Sequence, residues 1–101
     1  MGNRQELSQI LQSIVGSGRV HYQPPESIQL QYPCIIYRLA KMESDKADDI
    51  KYRKYKRYNV LFISNDPDDP IVEELNDLPY CSHQDRFVSD NLYHDPFILY
   101  F

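Results

Sequence analysis

The stretch Leu78 to Phe101 reads LPYCSHQDRFVSDNLYHDPFILYF, and its succession of a helix stop, a turn dipeptide and an apolar strand decides the fold. Pro79 has no amide proton to give to a helix, so it ends one. Asp90-Asn91 tolerates the left-handed backbone of a tight turn, which predicts a hairpin between Arg86–Ser89 and Tyr93–Phe101. Within the second strand both alternating sets, Phe97/Leu99/Phe101 and Ile98/Tyr100, are apolar or aromatic. Such a strand is expected to be covered on both faces. Ending on Phe, it is expected to be tied into a sheet or an assembly, because a free terminus frays.

Working back from this hairpin, Asn65 to Pro70 (NDPDDP) is a turn that starts a helix. Asp69 is placed to cap its free donors, Pro70 suits the first helical position, and Glu73 and Glu74 complement the positive helix start. Ile71, Val72, Leu75 and Leu78 form its apolar stripe. Lys51 to Ser64 (KYRKYKRYNVLFIS) is the longest strand candidate: apolar and core-bound from Val60 to Ile63, basic and aromatic before that. It is expected to pair with Cys34 to Ala40 as a long antiparallel hairpin, buried at its base and charged at its tip. Lys41 to Ile50 has no periodicity and many charges, so it reads as a solvated connection between these strands.

Nearer the amino terminus, Leu7, Ile10, Leu11, Ile14 and Val15 recur at helical spacing, and Gly16 and Gly18 stop that helix. Val20 to Tyr22 is a short strand candidate. Pro24-Pro25 prevents regular pairing after it, and Ile28 to Tyr32 is an ambiguous extended lead-in to Pro33. The fold class is therefore α+β: one domain over residues 1–101, a mostly antiparallel sheet with a long projecting hairpin, and two helices packed on it.

At 101 residues the chain can bury a single modest core. The formal net charge of −4 argues against a general nucleic-acid binder. The charges are nevertheless segregated: Lys51, Arg53, Lys54, Lys56 and Arg57 are five of eleven cations, and without them the chain would stand at −9. A basic segment on an acidic background suits docking to an acidic neighbour, including a second copy. Nine tyrosines suit partly wet protein contacts. The polar start Met1 to Glu6 reads as no signal peptide, and no apolar run approaches the roughly 20 residues of a membrane span. The reading is of a soluble, intracellular protein whose Cys34 and Cys81 are reduced.

Cys81, His83, Asp85 and His94 are metal-capable, with Cys34 as a fifth, but their spacing fits no zinc pattern. Cys81, His94 and Asp95 make a nucleophilic set on paper only, with no glycine-rich oxyanion loop beside them. No enzyme activity, cofactor or metal is expected. The basic segment interleaves cations with rings, as single-strand nucleic-acid platforms do. The alternative is a solvated strand whose cations meet carboxylates from Glu43 to Asp49 or from another subunit.

Four segments, YPCIIYRL (32–39), KRYNV (56–60), NDPDDPI (65–71) and residues 78–101, together resemble the small tail-completion or tail-terminator proteins of long-tailed bacteriophages and prophages. The matching words are a Tyr-Pro-Cys-Ile strand, Arg-Tyr-x-Val, an Asp-Pro-Asp helix entry, Leu-Pro-Tyr-Cys, Asp-Asn-Leu-x-His-Asp and a Phe-x-Leu-Tyr ending. Ser82-His83-Gln84 and Asp48-Asp49 depart from the pattern. The resemblance implies a subunit that assembles as a hexameric ring on the last ring of the tail tube, stops its growth and faces the head connector. Its partners would be itself, the tail tube protein and a head-completion or connector protein, with DNA passing through unrecognised. It would be made in the host bacterial cytoplasm and reside in the virion neck, with no catalytic residue. Ring contacts between identical subunits join two different patches. The interface residues expected from the sequence are Lys51, Tyr52, Arg53, Lys54, Tyr55, Lys56 and Arg57, opposed by acidic positions that include Asp48, Asp49, Asp68 and Asp69. The other reading is a nucleic-acid-binding adaptor that uses strand 51–58.

Overall fold

The computed structural model describes residues 3–25, 27–47 and 50–101, with backbone pairing alone for 43–47 and 50–55. The first apolar stripe forms α1 (Arg4–Val15), entered through Asn3, whose side-chain oxygen accepts the Glu6 amide at 2.9 Å. Leu7 and Leu11 are fully buried, and Ile14 and Val15 pack at the rim of the core. At the other end Gly16 takes φ 111°, a backbone that glycine adopts without penalty.

The remaining elements are β1 (Val20–Tyr22), β2 (Cys34–Ala47), β3 (Ile50–Ser64), α2 (Ile71–Asn76), β4 (Cys81–His83), β5 (Phe87–Ser89) and β6 (Leu92–Tyr100). They form one six-stranded sheet in the order β1-β2-β3-β6-β4, with β5 also paired to β6. Among the described residues only β1 and β2 run parallel, and every other pairing is antiparallel. The architecture is thus the α+β, mostly antiparallel one that the sequence predicts.

The registers set the core. Ile35, Phe62 and Asp95 lie in one row across the sheet, Tyr37, Val60 and Phe97 in the next, and Leu39, Tyr58, Leu99 and Cys81 in a third. Leu7 and Leu11 of α1 and Leu75 of α2 close over these rows in a single cluster. The opposite face carries Ile36, Leu61, Pro96 and Ile98, all half-buried. Here the expectation for the last strand changes: Phe97 and Leu99 are buried, whereas Ile98 and Tyr100 are covered only in part.

The terminal hairpin forms as read, with Ser89 opposite Leu92 and both Asp90 (φ 53°) and Asn91 (φ 63°) in the left-handed region. Two readings need correction. Residues 41–47 are not a loop, because β2 continues through them and pairs with β3 as far as Ala47 opposite Ile50. Backbone hydrogen bonding makes that strand, and hydrophobic periodicity cannot reveal a segment with no core to face. Residues 81–83, to which the sequence assigns no strand, form the edge strand β4; the ambiguous lead-in 28–32 resolves as non-strand.

Candidate interaction surface

The sheet proper ends where β6 stops pairing with β3, at Arg57 opposite Tyr100. One more rung follows, in which the Lys56 amide donates to the Phe101 carbonyl at 3.3 Å and the Phe101 amide donates back at 2.9 Å. Beyond it β2 and β3 continue as a two-stranded arm, and the molecule measures 51 × 25 × 23 Å. At the root the register shifts between Leu39/Tyr58 and Lys41/Arg57, so Ala40 is an extra residue on β2. A bulge of this kind bends the strand and raises its local twist at the root of the arm.

Residues 41–57 hold seven cations and four carboxylates; the rest of the chain holds four cations and eleven carboxylates. The backbone register sets Asp45 opposite Arg53, but Lys41 opposite Arg57 and Lys46 opposite Lys51. Carboxylates across the ribbon therefore cannot neutralise all of its cations, and like charges placed opposite destabilise a pair.

The interface residues expected from the sequence divide into groups. Asp48 and Asp49 lie outside the described residues, and of Lys51, Tyr52, Arg53, Lys54 and Tyr55 only the backbone pairing is described, on the arm. Lys56 and Arg57 sit at its root and are half-buried. Arg57 Nε is buried and finds no hydrogen-bond partner among the described residues.

Asp68 is exposed and close enough to Arg86 to favour its charged form. Asp69 is committed within the fold: its Oδ1 accepts the Ile71 amide at 3.0 Å and its Oδ2 accepts the Ser64 hydroxyl at 3.2 Å, while Pro70, read as the first helical residue, is the N-cap of α2. The acidic turn follows Ser64, the far end of β3 from the arm. The two regions are not brought together within one chain.

Sequence reasoning missed a buried carboxylate. Asp95 is 1% exposed on the helix-covered face, and its Oδ1 accepts from both His83 Nε2 and Arg86 Nε at 2.8 Å. Burial alone raises a carboxyl pKa, but the hydrogen bonds and charges of Arg86 and His83 outweigh it and hold Asp95 below its ordinary value. The same hydrogen bond is the main reason that the Arg86 pKa rises. The arrangement is a clamp: β4 and β5 are short edge strands separated by Gln84–Arg86, and the carboxylate ties both sides of that break to β6. His83 also packs edge-on against Phe97 at 5.1 Å, and Phe87 stacks on His94 at 4.8 Å. The signal was present, since alternation read back from Leu99 and Phe97 puts Asp95 on the buried face.

This geometry separates the paper nucleophilic set. Asp95 holds His83, whereas His94 turns its Nδ1 to the Leu92 carbonyl at 3.0 Å. Both cysteines are unpaired thiols, and burial pushes each up to about 11. Among the described residues no three metal-capable side chains come together, and no helix is long and apolar enough to cross a membrane. In comparisons with known proteins, no family model matches the chain, and neither a characterised protein nor a solved structure does.

Proposed function

We propose that the chain is a structural subunit of a long-tailed phage neck. It forms a ring, hexameric by the resemblance, that caps the tail tube, ends its elongation and joins it to the head connector. The observation that supports this reading most is the two-stranded arm, cation-rich on an acidic body and, among the described residues, open along both edges beyond Lys56. A two-stranded ribbon alone in water is marginally stable, and its unpaired backbone groups are a template for another chain. Docking supplies what the arm lacks: partners for its edges and carboxylates for its cations. Lys51 to Arg57 are the docking positions, and the tube protein, the connector protein and neighbouring copies are the partners. DNA passes through the ring without being read, and no catalytic residue has a role.

Electron microscopy of tail tubes assembled with and without the protein tests this. Rings on the tube ends and a narrowed length distribution are expected. Tubes of unchanged length with bare ends would overturn it. The second reading, a nucleic-acid adaptor, draws on the tyrosines interleaved with the arm cations in the sequence. It predicts salt-sensitive binding to DNA, seen as a change in hydrodynamic size, by the chain alone.

A further inference from the structure

The charges of this molecule are sorted along its sequence. Residues 41–57 carry seven of the eleven cations, whereas residues 65–90 carry eight carboxylates and a single arginine. β3 connects the two regions, entering from the arm at Ile50 and leaving at Ser64 into the acidic turn. The turn at 66–69 and β5 form the acidic pole at the Ser64 end: Phe87 sits level with His94 and Ile63, nine residues along β3 from Lys54, which at about 3.3 Å per residue is roughly 30 Å, several screening lengths at physiological salt. The tip cations Lys51, Arg53 and Lys54 therefore lie out of reach of Asp85 and Asp90 of their own chain.

That pole also exposes apolar surface. Phe87 is 48% and Val88 61% exposed on β5, the outermost strand there, with exposed Asp85 and Asp90 on either side in sequence. Arg86, the one cation in this segment, is already engaged with Asp95 at 2.8 Å. An edge strand with two partly exposed apolar side chains and carboxylates that form no ion pair among the described residues complements a ribbon of cations and tyrosines in both charge and surface type.

We infer that the β5 edge, with Phe87 and Val88 as its apolar seat and Asp85 and Asp90 as its charged rim, is the surface on which the arm of a second copy docks. The contact is head to tail. Each subunit gives its arm to one neighbour and its β5 edge to the other, the arrangement that closes into rings or runs on as a filament. The inference rests on the reading of the arm as a docking element and adds the receiving surface.

A charge-swap series in the full-length protein tests it. Sedimentation at low and high salt measures self-association, with circular dichroism as the folding control. The wild type is expected to associate, less so at high salt. Asp85→Lys with Asp90→Lys should weaken association by at least about a hundredfold, as should Lys51→Glu with Arg53→Glu and Lys54→Glu, because each sets like charges across the contact. All five substitutions in one chain should restore it. A wild type that stays monomeric at low salt, or a five-fold variant that does not recover, overturns the contact. If the edge variant associates normally while the arm variant does not, the β5 seat is wrong and arm docking stands. If the arm variant loses only DNA binding, the arm serves nucleic acid and both fail. A second measurement does not depend on the reversed variants folding: p-benzoylphenylalanine in place of Phe87, irradiated in a mixture of light and isotopically heavy chains. Cross-links to residues 41–57 of another copy are expected, and cross-links confined to any other segment overturn the assignment.

Discussion

The arm and the sheet body are built from the same two strands, yet different forces hold them. Up to Leu39 and from Tyr58 onward, β2 and β3 place Ile35, Tyr37, Val60 and Phe62 under two helices, and those side chains are at most 2% exposed. From Lys41 to Arg57 the ribbon consists chiefly of charged residues and tyrosines, and beyond Lys56 no third strand pairs with it among the described residues. Backbone hydrogen bonds continue across both regions, but only in the body do they coincide with apolar burial. The difference teaches that one continuous strand can supply stability at one end and a contact surface at the other.

The largest effect should come from deleting residues 97–101. Phe97 and Leu99 anchor the central strand β6, and Phe101 packs at the core rim. Burying each such side chain is worth roughly 1.5 to 3 kcal/mol, a large share of a small domain's stability. Loss of the cooperative melting transition by circular dichroism is expected. A native-like melt would break the assignment of stability to the body.

Next is Phe62→Ala, which empties a fully buried position in the row between Ile35 and Asp95. A cost of about 3 to 5 kcal/mol is expected from urea denaturation. A cost under 1 kcal/mol, on the order of an exposed substitution, would contradict a core centred there.

Arg86→Ala comes third. It leaves Asp95 buried with His83 alone and should cost about 1.5 kcal/mol, the low end for a hydrogen bond to a charged group, because the guanidinium is one-third open to water. The pH dependence sharpens this. The folded pKa of Asp95 lies below the unfolded one, so the stability it confers is complete above the ordinary carboxylate pKa and is lost as pH falls through the lowered value. The variant should therefore unfold at a higher pH than the wild type during acid titration. Coincident acid midpoints would remove the clamp from the account.

The smallest effect belongs to the arm. Lys51→Glu with Arg53→Glu and Lys54→Glu should shift folding stability by no more than about 0.5 kcal/mol each. A calorimetric melting point several degrees lower would show that the arm contributes to the fold. Arg57 is left out of that set because its buried Nε makes it part of the root.

Much of this division was legible in the sequence, for physical reasons. α1, α2 and the base of the hairpin announce themselves because a buried face imposes a period on the residues that form it. The turn at Asp90-Asn91 was legible because a left-handed backbone restricts which residues fit. The continuation of β2 through 41–47 was not, since two strands that pair without a core leave no hydrophobic pattern. The edge strand β4 was missed because three residues with two polar side chains show no alternation, and the Asp95 clamp because the partners of a carboxylate inside a strand come from other segments. Asp95 is the point where His83 and Arg86 attach. Arg57 was read with the exposed cations because sequence alone does not locate where the arm leaves the sheet.

Amide hydrogen exchange, followed by mass spectrometry in the free and the assembled chain, tests the central claim most directly. The account predicts slow exchange at 34–39 and 58–64 in both states. It predicts fast exchange at 41–47 and 50–55 in the free chain that becomes slow on assembly. Arm amides whose exchange is the same in both states would contradict it.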